Sequence, residues 1–111
     1  MTVPEVDAAE GAAQVAAGAF LLDVREADEW AAGRAPGAAW IPLRELERRA
    51  AELPTDRVVV CICRSGARSG RATEWLIAGG RDAVNLAGGM RAWAAAGLDV
   101  VDDTGAPGAV I

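Results

Sequence analysis

Cys63 is the residue of this chain whose surroundings most clearly indicate chemistry. It follows an apolar run, residues 58–62, and begins a loop that contains one glycine and two arginines before a helical pattern starts. The backbone N–H groups of such a loop, and the first turn of the next helix, can converge on one point and favour negative charge there. We therefore predict that Cys63 is a nucleophile, ionised to the thiolate and reachable by solvent. The predicted cradle for a bound anion consists of Arg64, Ser65, Gly66, Ala67, Arg68 and Ser69.

The residue types that are absent narrow the chemistry of this site. The eleven basic residues are all arginine, and the sequence contains no histidine, lysine or tyrosine. A cysteine–histidine or serine–histidine dyad, a histidine-containing metal site, a lysine Schiff base and a lysine-dependent phosphate loop are therefore excluded. We expect no cofactor and no metal, and a cysteine chemistry that runs without a histidine base.

The charge balance indicates the class of partner. A net charge of −5 argues against a nucleic-acid or membrane partner, for which a basic face would be expected. The loop after Cys63 has the opposite local charge, so we expect it to attract a small anion. The chain does not begin with a basic segment followed by an apolar run, and no stretch approaches the ~18 apolar residues of a membrane span. With two cysteines expected as free thiols, these features predict a cytoplasmic protein.

The second cysteine, Cys61, lies two residues before Cys63. On a strand both side chains would point to the same face without good disulfide geometry. We interpret Cys61 as an inert core residue. A redox role, in which its thiol attacks an oxidised or persulfidated Cys63, is left open.

The pattern of apolar residues indicates the elements that position Cys63. Predicted strands cover residues 19–24, 57–63 and 83–86, with a further strand or edge at 99–102. Predicted helices cover residues 7–17, 26–32, 43–53, 69–78 and 90–96. Strands that alternate with helices predict an α/β domain with a mainly parallel sheet. Because ligands bind at the carboxyl ends of such strands, we expect Asp23 and Arg25 to share a crevice with the Cys63 loop if their strands are neighbours.

The chain length suits one domain with one core and one site. We place this domain at residues 1–102 and expect a flexible tail over residues 103–111. Trp40, Trp75 and Trp93 are predicted to fill the core, because the chain has one phenylalanine and no tyrosine.

Four segments in a fixed order resemble the single-domain rhodaneses, a family of sulfurtransferases, over residues 3–101. They are residues 22–26 with Glu29, Trp30 and Gly33; residues 36–38 with Ile41 and Pro42; residues 63–69; and residues 85–90 with Trp93 and Gly97. The resemblance implies a three-layer α/β/α fold with a five-stranded parallel sheet between helices.

The resemblance also implies a reaction. Cys63 would accept a sulfane sulfur from thiosulfate or a persulfide, become a persulfide itself, and pass the sulfur to cyanide or to a thiol, including one on a protein. It further suggests that Asp23 braces the loop by pairing with one of its arginines, for which we name Arg64. For Arg25 two alternatives stay open: it orients an anionic donor, or it pairs with Glu26 or Glu29.

Two other functions remain open. A sulfur-relay or regulatory module would dock on a protein partner and use the loop for contact more than for turnover. A phosphatase is the third alternative, but the related cysteine phosphatases and arsenate reductases have one more residue between cysteine and arginine than the four that separate Cys63 from Arg68. The chain also departs from the rhodanese pattern, with Arg34 and Ala35 where histidine and isoleucine are frequent, and with Cys61 where an aromatic residue is common.

Overall fold

The structure of the protein is a computed structural model that describes residues 2–111. Its strands are β1 (Glu5–Val6), β2 (Phe20–Asp23), β3 (Ala39–Trp40), β4 (Val59–Ile62) and β5 (Ala83–Leu86). Its α-helices are α1 (Ala8–Ala16), α2 (Ala27–Ala32), α3 (Leu46–Arg49), α4 (Ala67–Ala78) and α5 (Gly89–Ala95). Two 3-10 turns, Leu43–Glu45 and Ala50–Glu52, flank α3. None of the helices described is both long and apolar enough to cross a membrane.

The five strands form one sheet in the order β1-β5-β4-β2-β3, and every neighbouring pair is parallel. β4 is the central strand, with β2 and β5 beside it. Asp23 at the end of β2 is paired with Ile62 at the end of β4, so the residues that follow these strands leave the sheet side by side. The predicted α/β fold with a five-stranded parallel sheet is confirmed, and so is the strand adjacency on which the expected crevice depends.

Helices cover both faces of the sheet, because alternate residues of a strand point to opposite sides. On one side of β4, Val59 and Cys61 pack in an apolar cluster that includes residues of α3 and α4. On the other side, Val60 and Ile62 pack in a second cluster that includes residues of α1 and α5. Since β4 is covered on both faces, its sequence is continuously apolar and does not alternate.

The shortest strands are elements that the sequence pattern did not predict. β1 and β3 have two residues each, which is too short to show an alternating pattern. The helix predicted over residues 43–53 is divided into a 3-10 turn, a four-residue α-helix and a second 3-10 turn. The strand or edge predicted at residues 99–102 is reduced to Val101, which makes isolated antiparallel bridges with Arg34 and Pro107.

Residues 103–111 fold back against the domain. The Gly108 N–H donates to the carbonyl of Val100 at 2.9 Å, and the Ala109 N–H donates to the carbonyl of Ala32 at 2.8 Å. Val110 packs against the second apolar cluster. The domain boundary after residue 102 stays a prediction, and so does the flexibility of residues 103–111.

Candidate active site around Cys63

Cys63 leaves the sheet at the carboxyl end of its central strand. It follows β4 directly, and α4 begins at Ala67 after a short loop. The chain turns at Gly66, whose φ of 103° lies in the left-handed region that residues with a side chain rarely adopt. A strand, a tight loop and a helix N-terminus therefore place the sulfur at the carboxyl end of the central strand, where the sequence predicted a site.

The sulfur of Cys63 accepts two hydrogen bonds from its own loop and helix. The Gly66 N–H donates to it at 3.1 Å, and the Ser69 hydroxyl donates to it at 3.2 Å. Ser69 is fully buried in the first turn of α4, so its hydroxyl has little freedom to turn toward water. The arrangement suits a sulfur atom that carries negative charge, because hydrogen bonds to an ionised acceptor are stronger than those to a neutral one.

The pKa of Cys63 is set by two opposing effects. Burial raises the pKa, because the thiolate is disfavoured away from water. The Ser69 hydroxyl and the nearby amides of Ser69, Gly66 and Ser65 favour the thiolate, and they hold the pKa of Cys63 below that of an ordinary thiol. Within the predicted cradle, the donors that act on the thiolate therefore belong to Ser65, Gly66 and Ser69.

The accessibility of the sulfur differs from what the sequence predicted. Cys63 is 1% exposed, so the expectation that solvent reaches it is wrong for this structure. Gly66 and Ser69 approach the sulfur within hydrogen-bonding distance and leave little of its surface open. Any molecule that contacts this sulfur must therefore displace part of this cover.

The backbone carbonyls at the start of the loop accept hydrogen bonds from residues of α5. The Met90 N–H donates to the carbonyl of Cys63 at 2.7 Å, and the Arg91 N–H donates to the carbonyl of Arg64 at 3.1 Å. Gly89 permits this approach, because a Cβ at that position would lie 2.6 Å from the carbonyl carbon of Arg64. The glycine at the first position of α5 is thus a packing requirement of the Cys63 loop.

Arg68, in the first turn of α4, is paired with Glu29 of α2. Its two terminal nitrogens donate to the two carboxylate oxygens at 2.7 and 2.8 Å. The hydrogen bonds from Arg68 lower the pKa of Glu29 against the opposing effect of burial. A cation at a helix N-terminus calls for a compensating anion, and Glu29 supplies it from within the protein. The sequence indicated Glu29 as a possible partner of Arg25 and not of Arg68.

Arg64 makes a different contact. It is exposed, and its Nε donates to the backbone oxygen of Ile111 at 2.9 Å. In the part of the chain that the structure describes, the hydrogen bonds to the Cys63 sulfur come from Gly66 and Ser69 and not from either arginine side chain. Substrate binding by Arg64 and Arg68 therefore stays a prediction.

The predicted ion pair between Asp23 and Arg64 is wrong. The carboxylate of Asp23 instead accepts hydrogen bonds from the amide of Arg25 at 3.0 Å and from its guanidinium at 2.8 Å. Arg25 also donates to the carbonyl of Gly33 at 2.7 Å. Asp23 and Arg25 are both fully buried, and a buried carboxylate requires a buried partner, which the exposed Arg64 does not offer. The supporting role of these two residues stays a prediction.

Cys61 occupies the same apolar cluster as Cys63 but has a different environment. Its side chain is buried on one face of the sheet, and this burial raises the pKa of its thiol to about 12. Both cysteines are free thiols. The surroundings of Cys61 are those of the inert core residue that the sequence indicated.

A groove of about 870 Å³ lies beside Arg68. Leu43, Leu46 and Trp75 supply its apolar lining. Trp75 is 42% exposed, so its predicted place in the core is wrong. The buried face of α4 is taken by residues one helical turn apart, such as Ala72 and Leu76, and this turns Trp75 outward.

Two comparisons of sequence bear on this site. Residues 3–96 match the family model described as Rhodanese-like domain. The chain is 44% identical over 87 residues to a protein named Sulfurtransferase from Allochromatium vinosum, and the match covers 78% of this chain and 81% of that protein.

Solved structures with the same architecture include proteins of two sizes. A rhodanese-related protein from Thermoplasma volcanium superposes with a TM-score of 0.83 at 33% identity, and the match covers 88% of this chain and 97% of that one. A thiosulfate sulfurtransferase from Pseudomonas aeruginosa superposes with a TM-score of 0.82 at 29% identity, and the match covers 91% of this chain but 20% of that one. The present chain therefore corresponds to a small part of the Pseudomonas protein.

Proposed function

The chain belongs to the rhodanese-like family of sulfurtransferases, and on this premise we propose that it moves a sulfane sulfur from thiosulfate or a persulfide donor to a thiophilic acceptor. The acceptor is cyanide or a thiol, and the carrier is a persulfide on Cys63. The observation that supports this proposal is the Cys63 sulfur itself, which is surrounded by donors and has a lowered pKa. With two free thiols, the reaction belongs in a reducing compartment such as the cytoplasm.

In the first step the Cys63 thiolate attacks the outer sulfur of the donor. With thiosulfate, a new sulfur–sulfur bond forms at Cys63, the original sulfur–sulfur bond breaks, and sulfite leaves with the electron pair. The thiolate is the reactive form of cysteine, so a pKa below that of an ordinary thiol increases the fraction of Cys63 that can act as the nucleophile. No proton has to be taken from carbon or water, which suits a chain without histidine.

In the second step the acceptor attacks the outer sulfur of the Cys63 persulfide. The bond between the two sulfurs breaks, the Cys63 thiolate leaves with the electron pair, and the acceptor departs as thiocyanate or as a new persulfide. Between the steps the anion is stabilised by the amide and hydroxyl donors of Ser65, Gly66 and Ser69. In this proposal Arg64 and Arg68 attract the anionic donor, Ala67 contributes backbone, and the buried Asp23–Arg25 pair supports the neighbouring strand end.

Intact-mass measurement after incubation with thiosulfate tests the proposal. The wild-type chain should gain the mass of one sulfur atom, and cyanide should remove it. The Cys63→Ser variant should gain nothing, whereas the matched Cys61→Ala variant should gain the sulfur as the wild type does. An unmodified wild type, or a sulfur that persists in Cys63→Ser, would contradict the proposal.

The same site supports a second candidate, a sulfur relay that exchanges sulfur with a protein partner and turns over slowly with small molecules. The observation in its favour is the cover over Cys63, which is 1% exposed, together with the exposed Trp75 in the neighbouring groove. Steady-state turnover with cyanide, compared with transfer from persulfidated Cys63 to proteins of a lysate, separates the two. Rapid turnover with cyanide favours the enzyme, and transfer to proteins alone favours the relay.

A further inference from the structure

The N–H group that donates to the Cys63 sulfur belongs to Gly66, and the carbonyl of the same residue is held by a different part of the fold. That carbonyl accepts a hydrogen bond of 3.0 Å from the side-chain amide of Asn85 on β5. It also accepts one from the Gly70 N–H within α4. A glycine at φ 103° has no side chain that restricts its backbone. The contact with Asn85 is therefore a restraint on the one residue of the loop with the greatest backbone freedom.

We propose that Asn85 is a positioning residue for the Cys63 loop. By holding the Gly66 carbonyl, its side-chain amide keeps the Gly66 N–H directed at the sulfur. The inference rests on the proposed function, in which the Cys63 sulfur reacts as an anion. Asn85 acts through Gly66 and not through contact with the reacting atom.

Asn85 is itself held firmly between neighbouring strands. In the sheet register it lies opposite Cys61 on β4 and opposite Glu5 on β1. Its side chain is 1% exposed, and its Nδ2 also donates to a carboxylate oxygen of Glu5 at 2.9 Å. Both hydrogens of the amide group are therefore engaged, one by the edge strand and one by the Cys63 loop.

In the side-chain amide of Asn85, the nitrogen makes hydrogen bonds with the described residues and the oxygen makes none. Oδ1 of Asn85 is buried and has no hydrogen-bond partner among residues 2–111. If the amide were turned over, this oxygen would face the Glu5 carboxylate and the Gly66 carbonyl, which are both acceptors. A buried oxygen without a partner is unfavourable, so an apolar side chain would suit this strand position better if stability were its only purpose.

The expected consequence of losing Asn85 follows from the geometry of Gly66. Without the side-chain donor, the Gly66 carbonyl keeps only the hydrogen bond from the Gly70 N–H, so the Gly66 backbone is less restrained and its N–H is less firmly directed at the sulfur. The thiolate then loses a well-aligned donor, which raises the pKa of Cys63. A residue that served only to stabilise the sheet would leave that pKa unchanged.

The test measures the rate of Cys63 alkylation by iodoacetamide against pH in the full chain. The fragment ions of the peptide that contains both cysteines assign the label to Cys63 or to Cys61. Asn85→Leu removes the donor at similar volume and adds no charge. We expect its midpoint to rise by about half a pH unit or more relative to wild type, since one hydrogen bond to a charged group is weakened. Val84→Ala, a packing change at the adjacent residue of β5, is the matched control. It should lower the melting temperature without moving the midpoint.

A folded Asn85→Leu protein with the wild-type midpoint would overturn the inference. If that variant does not fold, Asn85→Ala carries the same expectation and the same refutation. A midpoint that rises equally in Val84→Ala would also overturn it, because the shift would then report general loosening of the domain. A wild-type midpoint at the free-thiol value would instead remove the proposed function, whatever the Asn85 variants do.

Discussion

Cys61 and Cys63 lie two residues apart, point to the same side of the sheet and are both almost fully buried, at 0% and 1% exposure. Burial raises the pKa of Cys61 to about 12. The same effect acts on Cys63, yet its pKa is lowered. The two residues share a chemical type and a very low exposure to solvent, so these two properties alone do not account for the opposite shifts of their pKa values.

The difference between the two thiols lies in what surrounds each sulfur. Cys61 is still within β4, where the backbone N–H groups are engaged in the sheet. Cys63 is the first residue beyond the strand, where the chain turns and its amides are free to face inward, with the Ser69 hydroxyl beside them. Because Cys63 lies just beyond the end of the central strand, its surroundings stabilise a thiolate. The surroundings of Cys61, two residues earlier, do not.

The largest effect is expected when each of the two cysteines is replaced in turn. Cys63→Ser should lower sulfur transfer from thiosulfate to cyanide by about a thousandfold or more, as loss of a covalent nucleophile does in other enzymes. Cys61→Ala should stay within about threefold of wild type, because a buried cysteine behaves as a small apolar residue. Thiocyanate formation measures both. Comparable losses in the two variants would break the distinction between them.

A second prediction concerns the Ser69 hydroxyl, which donates to the sulfur of Cys63. Ser69→Ala removes the hydroxyl hydrogen bond, so the pKa of Cys63 should rise by about one unit. Because the thiolate reacts and the wild-type pKa is lowered, alkylation of Cys63 increases with pH through that lowered pKa. In Ser69→Ala the increase should move to higher pH, and at any pH below both midpoints the rate should fall about tenfold.

Thr73→Val is the matched control for Ser69→Ala. Thr73 lies one turn further along α4, where its hydroxyl donates to the Ser69 carbonyl at 2.8 Å and acts on the pKa of Cys61. This variant should leave the alkylation profile of Cys63 in place. If Ser69→Ala and Thr73→Val shift that profile equally, the hydroxyl at Ser69 has no specific role.

A smaller effect is expected from the charge around the Cys63 loop. Glu29→Gln removes the carboxylate that compensates Arg68, so the positive charge of Arg68 should act more strongly on an anionic donor. We expect the KM for thiosulfate to fall about two- to threefold with kcat little changed. Glu26→Gln, which removes the partner of Arg44 in an exposed pair, should leave KM unchanged, since exposed pairs have weak effects. An unchanged or higher KM in Glu29→Gln would contradict the role given to Arg68.

The strand, loop and helix around Cys63 were predictable because their signals are local. An apolar run covered on both faces, a glycine turn and a helical repeat are adjacent in the chain. The position of Asp23 beside the end of β4 was predictable as well, since parallel strands bring their carboxyl ends to the same side of the sheet. These features depend on backbone geometry and on neighbours in sequence.

The side-chain partners were less predictable because they depend on contacts across the fold. Arg68 pairs with Glu29, and Arg64 with the backbone of Ile111, although each partner is distant in sequence. Asp23 was assigned to Arg64 on resemblance, and its burial favours Arg25 instead. Several carboxylates and carbonyls compete for each arginine, and the sequence contains no pattern that ranks them.

The most direct test of the account compares the two cysteines in one wild-type sample. Alkylation rates should be measured against pH, and the label should be assigned to Cys61 or Cys63 by the fragment ions of the peptide that contains both residues. We expect Cys63 to react with a midpoint below the free-thiol value of about 8.5, and Cys61 to stay unmodified over the same pH range. A Cys63 midpoint at or above the free-thiol value, or a Cys61 that reacts as fast, would contradict it.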